Sequence, residues 1–352
     1  MTEPVDPTKI DGSPDACLAP WPQRLEELGR RVRQAARHAM QTALERAGPG
    51  AASRPVGQGA GDATFELDRV TERVVEEWLW EVAADGPLSL LTEDTGWRHA
   101  GPGTGEPVSL EGFDHGGPRI AIDPVDGTRH LMADLRSAWT VIGLAGPGAE
   151  VPRLSDVTWG FVGELPDSRA RAWRSLTARR GQGCRSALRE LEDDTLLQEV
   201  ELRANSDDRA DHGYFPFFAF HPDLRTEVAR LAANFFARLE DEEGAELAHC
   251  YDDQYISSGG QLALTAMGTY RMVVEARALL AQRRGRPTQV CKPYDVCGAV
   301  LCAREAGCVV LGLDGEDLDV ALDVSTPVCF AAFANEGTYR RLWRHLEAAL
   351  RE

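Results

Sequence analysis

Apolar side chains recur at helical spacing in two segments near the start of the chain. From Pro22 to about Gly48 they recur every three or four positions between arginines and glutamates, and a Gly-Pro-Gly sequence ends the segment. The same pattern runs from about Glu66 to Ala83. Each segment therefore predicts an amphipathic helix that packs against another part of the protein.

Short apolar runs bounded by turn residues follow the second helix and predict β-strands. These runs lie at 88–91, 120–122, 139–145 and 157–162. Residues 98–118 are rich in glycine and proline, so we expect a loop there that approaches the functional site without belonging to the core.

Helical and strand patterns alternate in the second half of the chain as well. In chain order they predict helices over about 223–240 and 260–268, a strand at 270–275, a helix over 295–306, strands at 309–311 and 328–333, and a final helix from about 336. This mixture favours an α+β fold, either as one domain or as two subdomains.

The expected organisation has three parts. Residues 1–21 contain acids and prolines but lack the basic and apolar regions of a signal peptide, so we expect a disordered tail. Residues 22–185 are expected to form an N-terminal α+β subdomain, and residues 186–352 a C-terminal α/β subdomain.

A basic segment at 277–292 interrupts the alternation of elements in the second half. One interpretation is a solvated loop, which is the usual place for a run of like charges. The other is a positively charged lip that attracts an anionic substrate. The sequence leaves both open.

The net charge narrows the classes of partner. The chain of 352 residues carries 56 acidic and 38 basic side chains, which gives a formal charge of -18. Such a surface repels a nucleic-acid backbone, so we expect no nucleic-acid polymer as a partner. An anionic small substrate would be repelled too unless bound cations reverse the local field.

Neither a membrane span nor a disulfide scaffold is indicated. No segment approaches the roughly 20 apolar residues that a spanning helix requires, so we expect no membrane partner. The eight cysteines are sparse and lack the paired spacing of a zinc site. We expect free thiols and a cytoplasmic location.

Acidic residues stand where two predicted strands end. Glu93 and Asp94 follow the strand at 88–91, and Asp123 and Asp126 follow the strand at 120–122. Carboxylates placed at strand ends can converge, and hard oxygen ligands on rigid elements are what magnesium prefers. Taken alone, the second pair could equally be a turn with two acids and a glycine.

The sequence Asp-Pro-Val-Asp-Gly-Thr at 123–128 offers chemistry for an anion as well. The N–H groups from Gly127 onward are expected to open a helix, and such groups can receive a phosphate. Far along the chain, Asp295 stands at the start of another predicted helix, where an N-cap would be an ordinary explanation.

Together these motifs resemble the inositol monophosphatase family, whose superfamily also holds the fructose-bisphosphatases and phosphoadenosine phosphatases. Their order and approximate separation match, and the resemblance covers about residues 22–350. The four blocks that carry it are Gly-Asp-Ala-Thr-Phe-Glu-Leu-Asp (61–68), Thr-Glu-Asp-Thr (92–95), Ile-Asp-Pro-Val-Asp-Gly-Thr (122–128) and Tyr-Asp-Val-Cys-Gly-Ala through Arg-Glu-Ala-Gly (294–307).

The resemblance implies a layered α/β/α/β/α sandwich and a phosphatase that uses Mg²⁺, and we expect a homodimer. It implies metal ligation by Glu93, Asp123, Asp126, Asp295 and the carbonyl of Val125. Asp68 would serve a third metal or its water shell. Water would be activated through Glu93 and Thr128, and phosphate would be held at Gly127 and Thr128.

The positions that bear on the substrate match the family less well. Arg129-His130 replaces the usual small polar residue and asparagine, and Arg129 could either meet a second substrate anion or point to solvent. A loose similarity further implies substrate contacts from Ser258, Gly259, Gly260 and Glu275.

The first hypothesis is therefore a magnesium-dependent phosphomonoesterase for a small sugar or polyol phosphate, of the inositol monophosphate or fructose 1,6-bisphosphate type. A second is a 3'(2')-phosphoadenosine-type nucleotide phosphatase, for which basic residues at 283, 284 and 286 could suit a second phosphate. A third is a catalytically silent relative that acts as a binding or scaffold protein.

Overall fold

The computed structural model describes residues 18–47, 55–58 and 63–352. Most of the expected tail lies outside these ranges, as does Asp62 of the first family block. The end of the tail does not match the prediction, because Leu18 and Trp21 are buried and Trp21 begins the first helix. Two large apolar side chains at this point favour packing over disorder.

Helices make up a large part of the described chain. They are α1 (Trp21–Ala47), α2 (Glu66–Ala83), α3 (Thr128–Met132), α4 (Arg225–Glu243), α5 (Ser258–Ala266), α6 (Arg277–Arg284), α7 (Pro293–Val296), α8 (Ala299–Glu305) and α9 (Glu336–Arg351). Both helices predicted near the start of the chain are thereby confirmed.

The strands fall into one large sheet and several small ones. They are β1 (Pro55–Gln58), β2 (Ala63–Phe65), β3 (Leu88–Thr92), β4 (Gly96–Gly101), β5 (Val108–Ser109), β6 (Arg119–Asp126), β7 (Ala138–Ala145), β8 (Val157–Leu165), β9 (Ala172–Arg179), β10 (Cys184–Glu190), β11 (Leu196–Leu202), β12 (His212–Tyr214), β13 (His249–Tyr251), β14 (Met272–Glu275), β15 (Val309–Leu311) and β16 (Phe330–Phe333).

The large sheet has nine strands in the order β11-β10-β9-β8-β7-β6-β3-β4-β5. Neighbouring strands are antiparallel except β3 and β6, which run in parallel with Leu90 opposite Ile120. The smaller sheet has the order β14-β16-β15. Every residue of β6 is buried, as expected for a strand covered on both faces.

Five layers result from the packing of helices on these two sheets. Helices α1 and α2 cover one face of the large sheet, and α5, α7 and α8 cover the other face. The smaller sheet lies beyond α5 and α8, with α9 and α4 outside it. The expected α/β/α/β/α sandwich of the α+β class is confirmed.

Several local predictions differ from the structure. The chain at 98–118 is not all loop, because β4 and β5 extend the large sheet and Ala100 is fully buried. The large sheet also continues through β10 and β11, so the subdomain boundary expected at residue 185 falls inside a strand. Charged residues break the apolar alternation of these two strands, and this hid them in the sequence.

Two further differences concern the segments before and after residue 292. The expected loop at 277–292 begins as helix α6, and Arg277 is buried. The helix expected over 295–306 is two short helices, α7 and α8, separated at Gly298. A Cβ at Gly298 would lie 1.9 Å from the carbonyl oxygen of Ile142, so only glycine permits this close approach to β7.

Candidate active site

A cavity of about 450 Å³ lies where the first strands of the large sheet end. Because β3 and β6 are parallel neighbours, their ends meet at the same sheet edge. Glu93 and Asp94 follow β3 as expected, whereas Asp123 and Asp126 lie within β6, which is longer than its apolar run. Helix α7 reaches this edge from the other half of the chain. The acids that line the cavity are Asp68, Glu72, Glu93, Asp94, Asp123, Asp126 and Asp295.

Asp123 lies at the centre of this acidic group. Its Oδ1 accepts a hydrogen bond of 2.9 Å from the backbone N–H of Val125, and the residue is 6% exposed. Burial raises the pKa of Asp123 well above its usual range, and the negative charges of Asp126, Asp295 and Glu93 raise it further. These carboxylates are therefore close enough to repel one another.

Asp126 is held by the turn that opens α5. Its Oδ2 accepts 2.7 Å from the hydroxyl of Ser257 and 2.6 Å from the N–H of Gly259, and Oδ1 accepts 3.3 Å from the N–H of Ser258. Burial raises the pKa of Asp126 to about 6, and these donors limit the rise. The carboxylate is therefore fixed in orientation before any ligand arrives.

The glycines predicted to contact substrate lie behind Asp126 instead. Gly259 donates to Asp126, and the N–H of Gly260 donates to Ser257 Oγ at 2.8 Å. A Cβ at Gly260 would lie 2.4 Å from the indole of Trp139. Both glycines are buried outside the lining of the cavity, which Ser257 and Ser258 do line. Close packing against Val141 and Trp139 requires glycine at both positions.

Asp295 is fixed in a similar way at the start of α7. Its Oδ2 accepts a hydrogen bond of 2.8 Å from the N–H of Lys292. Lys292 is the N-cap of α7 and Asp295 its third residue, so the contact is one half of a capping box and not the N-cap role that the sequence left as an alternative. Asp295 lines the cavity at the same time. Burial raises the pKa of Asp295 well above its usual range, with a contribution from Asp126. The capping and ligand interpretations are thus compatible.

Thr128 links the central motif to helix α2. Its Oγ1 lies 2.8 Å from Asp68 Oδ1 and 2.9 Å from the carbonyl oxygen of Val125, so its single proton has two possible acceptors. The Oδ2 of Asp68 accepts 2.9 Å from the N–H of Phe65. Gly127 precedes α3 with a φ of 105°, which glycine adopts without strain.

Glu72 and Tyr294 also line the cavity, and neither was predicted from the sequence as a site residue. Glu72 lies one helical turn after Asp68, a spacing that could have revealed it, and burial raises its pKa to about 8. Tyr294 forms a side-chain hydrogen bond with Glu93. Burial raises the pKa of its phenol above the usual range, and the negative charge of Asp295 raises it further. Nothing in its local sequence indicated this contact.

The donor set fits a hard divalent cation. Four carboxylates predicted as ligands line one cavity. Burial raises the pKa of Asp123, Asp126 and Asp295, and neighbouring negative charges raise that of Asp123 and Asp295 further. Among the described residues, no group of three or more His, Cys, Asp or Glu side chains is placed so that it could hold a metal ion by itself. Magnesium suits such an open arrangement, because it usually keeps several waters and binds through few carboxylates plus substrate phosphate.

Positive side chains line another part of the cavity. Arg129 does not point away to solvent, since its guanidinium carbon lies 5.5 Å from the ring centroid of Phe220 and the residue lines the cavity. Arg277 and Lys292 line it too. Of the basic residues in the possible charged lip at 277–292, only Arg277 and Lys292 line the cavity, and the residues at 283, 284 and 286 do not.

Glu275 is not a lining residue, in contrast to the expectation of a substrate contact. It is fully buried, and Arg277 binds its carboxylate through Nε at 2.9 Å and Nη2 at 2.7 Å. Such a buried acid needs a charged partner. Glu275 therefore holds Arg277, and Arg277 borders the cavity in its place.

Comparisons with known proteins agree with this architecture. The model of the inositol monophosphatase family matches residues 24–347. No curated protein sequence is significantly similar to the chain.

No helix in the described ranges has the length and apolar character needed to cross a membrane.

Solved structures similar to this one share its fold at low sequence identity. The holo form of fructose-1,6-bisphosphatase from Leishmania major has a TM-score of 0.64 and 11% identity, covering 97% of this chain and 95% of its own. The extragenic suppressor protein SuhB from Bartonella henselae has a TM-score of 0.61 and 16% identity, with coverages of 92% and 97%. An inositol monophosphatase II with bound inositol monophosphate has a TM-score of 0.56 and 14% identity, with coverages of 93% and 94%.

Proposed function

Because this chain belongs to the inositol monophosphatase family, we propose that it is a magnesium-dependent phosphatase that hydrolyses a small sugar or polyol phosphate. Family membership makes the chain a phosphoric monoester hydrolase. The single observation that carries the rest of the proposal is the set of Glu93, Asp123, Asp126 and Asp295, which come from three separated segments and line one cavity.

The proposed metal ligands are these four carboxylates and the carbonyl oxygen of Val125. Bound magnesium would neutralise phosphate charge, ionise a water and stabilise the leaving alkoxide. Ser257 and Gly259 keep Asp126 aimed at the cavity, and Lys292 does the same for Asp295 through its N–H.

The proposed proton-transfer group is the hydroxyl of Thr128. It lies at hydrogen-bond distance from Asp68, and burial raises the pKa of that carboxyl. A hydroxyl that donates to Asp68 presents its lone pairs to a water in the cavity and can orient that water. The N–H groups of Gly127 and Thr128 are the proposed donors to the phosphate oxygens.

We propose inositol phosphates or fructose bisphosphate as the class of substrate because of the family and the related folds. An inositol monophosphatase of similar fold binds inositol monophosphate, and a fructose-1,6-bisphosphatase shares the fold as well. The nucleotide alternative loses its specific support, because Arg283, Arg284 and Arg286 lie outside the cavity lining. A silent relative is disfavoured because the acidic ligands are all retained. The homodimer and the cytoplasmic location stay predictions.

A side-by-side phosphate-release assay tests the function. Inositol monophosphate, fructose 1,6-bisphosphate and phosphoadenosine phosphate would be incubated with the protein, with magnesium or with a chelator. We expect release from at least one sugar or polyol phosphate with magnesium only. Absence of release from a broad phosphorylated metabolite panel, with magnesium binding confirmed by calorimetry, would contradict the proposal. Faster release from phosphoadenosine phosphate would favour the nucleotide alternative.

A further inference from the structure

Charges of opposite sign line different parts of the cavity. The acids come from residues 68–126 together with Asp295, whereas the other lining residues from the second half of the chain contain no acid. Lining residues of the second half that we assign to this other part are Phe218, Phe220, Arg277, Thr288–Val290, Lys292 and Val324–Ser325. The remaining ones, Ile256–Ser258 and Tyr294, are neighbours of the acids in the sequence or in contact with them. Magnesium and phosphate account for the acidic part. The second part is left for the leaving group.

Arg277 is held rigidly in this second part. Its guanidinium binds Glu275 through Nε and Nη2, and Nη1 donates 3.0 Å to the carbonyl oxygen of Gln289. The guanidinium carbon also lies 4.6 Å from the ring centroid of Phe218 and 5.1 Å from that of Phe220. A guanidinium fixed in this way loses little side-chain entropy when it binds an anion.

Arg129 approaches the same aromatic ring from helix α3. Its guanidinium carbon lies 5.5 Å from the centroid of Phe220, so two guanidinium groups border one ring. Lys292 is the third lining cation, and its Nζ donates 2.7 Å to the carbonyl oxygen of Ser325. Because Glu275 offsets the charge of Arg277, the additional positive charge at this part of the cavity comes from Arg129 and Lys292. A neutral polyol leaving group does not require it.

Phe220 is poorly suited to stacking on a nucleobase. Its ring stacks on Phe218 with 5.6 Å between centroids and 27° between planes. The two guanidinium groups lie against the same ring. The ring therefore supports Arg129 and Arg277 and does not provide an open stacking platform.

We propose that Arg129 and Arg277, supported by Phe220, form a subsite for an anionic substituent on the leaving group of the substrate. This inference rests on the proposed function in treating the cavity as the site of a phosphate ester. The preferred substrate then carries a second phosphate or a carboxylate distant from the phosphate that is cleaved. A guanidinium group binds a phosphate or a carboxylate through the same pair of N–H groups, so both anions fit the chemistry of this subsite.

Three probes that differ only at one carbon separate the possibilities. Glucose 1-phosphate carries a hydroxyl at C6, glucuronic acid 1-phosphate a carboxylate, and glucose 1,6-bisphosphate a second phosphate. The magnesium-loaded protein would be titrated with each probe by calorimetry, and phosphate release would be measured in parallel. We expect at least one C6 anion to bind about 10-fold or more tightly than the C6 hydroxyl.

Variants assign the preference to named residues. Arg129→Met removes one cation, and the double variant Glu275→Gln/Arg277→Met removes the second cation without leaving a buried carboxylate unpaired. Arg286→Met is the matched control, because Arg286 is exposed and lies outside the cavity lining. We expect each test variant to reduce the ratio of anionic to neutral probe affinity at least about threefold, and the control to keep it.

The outcomes distinguish this inference from the proposed function. Equal binding of the three probes by the wild-type protein would overturn the subsite, as would an unchanged affinity ratio in Arg129→Met. A strong anion preference without phosphate release from any probe or metabolite would support the subsite and contradict the proposed function. If only the bisphosphate binds more tightly than glucose 1-phosphate, the subsite is specific for a second phosphate. If both anionic probes bind more tightly, the subsite accepts either a phosphate or a carboxylate.

Discussion

The imidazole of His130 lies parallel to the phenol ring of Tyr255, with 5.9 Å between the ring centroids and 10° between the planes. Its Nδ1 also faces the N–H of Ile256 at 3.4 Å. The next residue, Ser257, donates its hydroxyl proton to Asp126. His130 therefore packs against the segment that orients a proposed metal ligand, although no role was predicted for it from the sequence.

The first prediction concerns this packing. We expect His130→Ala to weaken magnesium binding about 3- to 10-fold, because an aromatic pair contributes about 0.5–1.5 kcal/mol. We expect His130→Phe to restore most of the affinity, since it keeps the stacked ring and loses only a long contact to Ile256. Calorimetric titration with magnesium measures both, with His38→Ala on helix α1 as the control. Wild-type affinity in His130→Ala, or equal loss in both variants, would contradict this role.

The second prediction concerns the ligands themselves. We expect Asp123→Asn to lower kcat about 100-fold or more, because the metal supplies several kcal/mol of transition-state stabilisation. The metal-free variant should melt at the wild-type temperature or above, since one of several mutually repelling carboxylates is removed. Asp241→Asn, an exposed acid on α4, is the control. Near-normal turnover by Asp123→Asn would show that the site is wrongly assigned.

The third prediction separates the hydroxyl of Thr128 from its methyl group. We expect Thr128→Val to lower kcat about 100-fold, at the lower end of the contribution of a positioned proton-transfer group, and Thr128→Ser to retain most activity. Both variants should keep the fold, because only one hydroxyl contact to Asp68 or Val125 changes. Steady-state kinetics with magnesium and a melting curve measure this. Equal activity of the two variants would exclude a role for the hydroxyl.

The fourth prediction is a pH dependence of the metal-free protein. Burial holds the pKa of Glu72 at about 8 against an ordinary 4.5, and that of Asp126 at about 6 against 3.8. The folded protein thus binds these protons more tightly than the unfolded chain. Their stabilising contribution is complete below pH about 4 and is lost as the pH rises to about 8.

Thermal unfolding in a chelator between pH 5 and 8.5 tests this dependence. We expect Glu72→Gln to flatten the decline in melting temperature, because its side chain has no proton to lose. Magnesium should stabilise the wild-type protein more at pH 8 than at pH 5, since ligands bind metal after deprotonation. A slope in Glu72→Gln identical to that of the wild-type protein would contradict the raised pKa.

The sequence was most informative where structure depends on nearby residues. Helix α2 has the predicted bounds, Glu66–Ala83, because its apolar face repeats at helical spacing and acids occupy its first turn. Strands β3 and β6 were found from their apolar runs at 88–91 and 120–122, although β6 continues to Asp126. The carboxylates near the ends of these two strands predicted that the strand ends converge on one site, and this prediction used only the local sequence of each strand.

Tertiary structure alone decided which distant groups meet. The sequence does not show that Gly259 supports Asp126, or that Glu275 binds Arg277, because each contact depends on how separate layers pack. It also could not place Arg129 and Arg277 beside one aromatic ring. Periodicity reports the face that an element buries, whereas the identity of its partners is set by long-range packing. The sequence by itself thus determined the fold class and the acids that we propose as ligands, and only the tertiary structure decided which other groups surround the cavity.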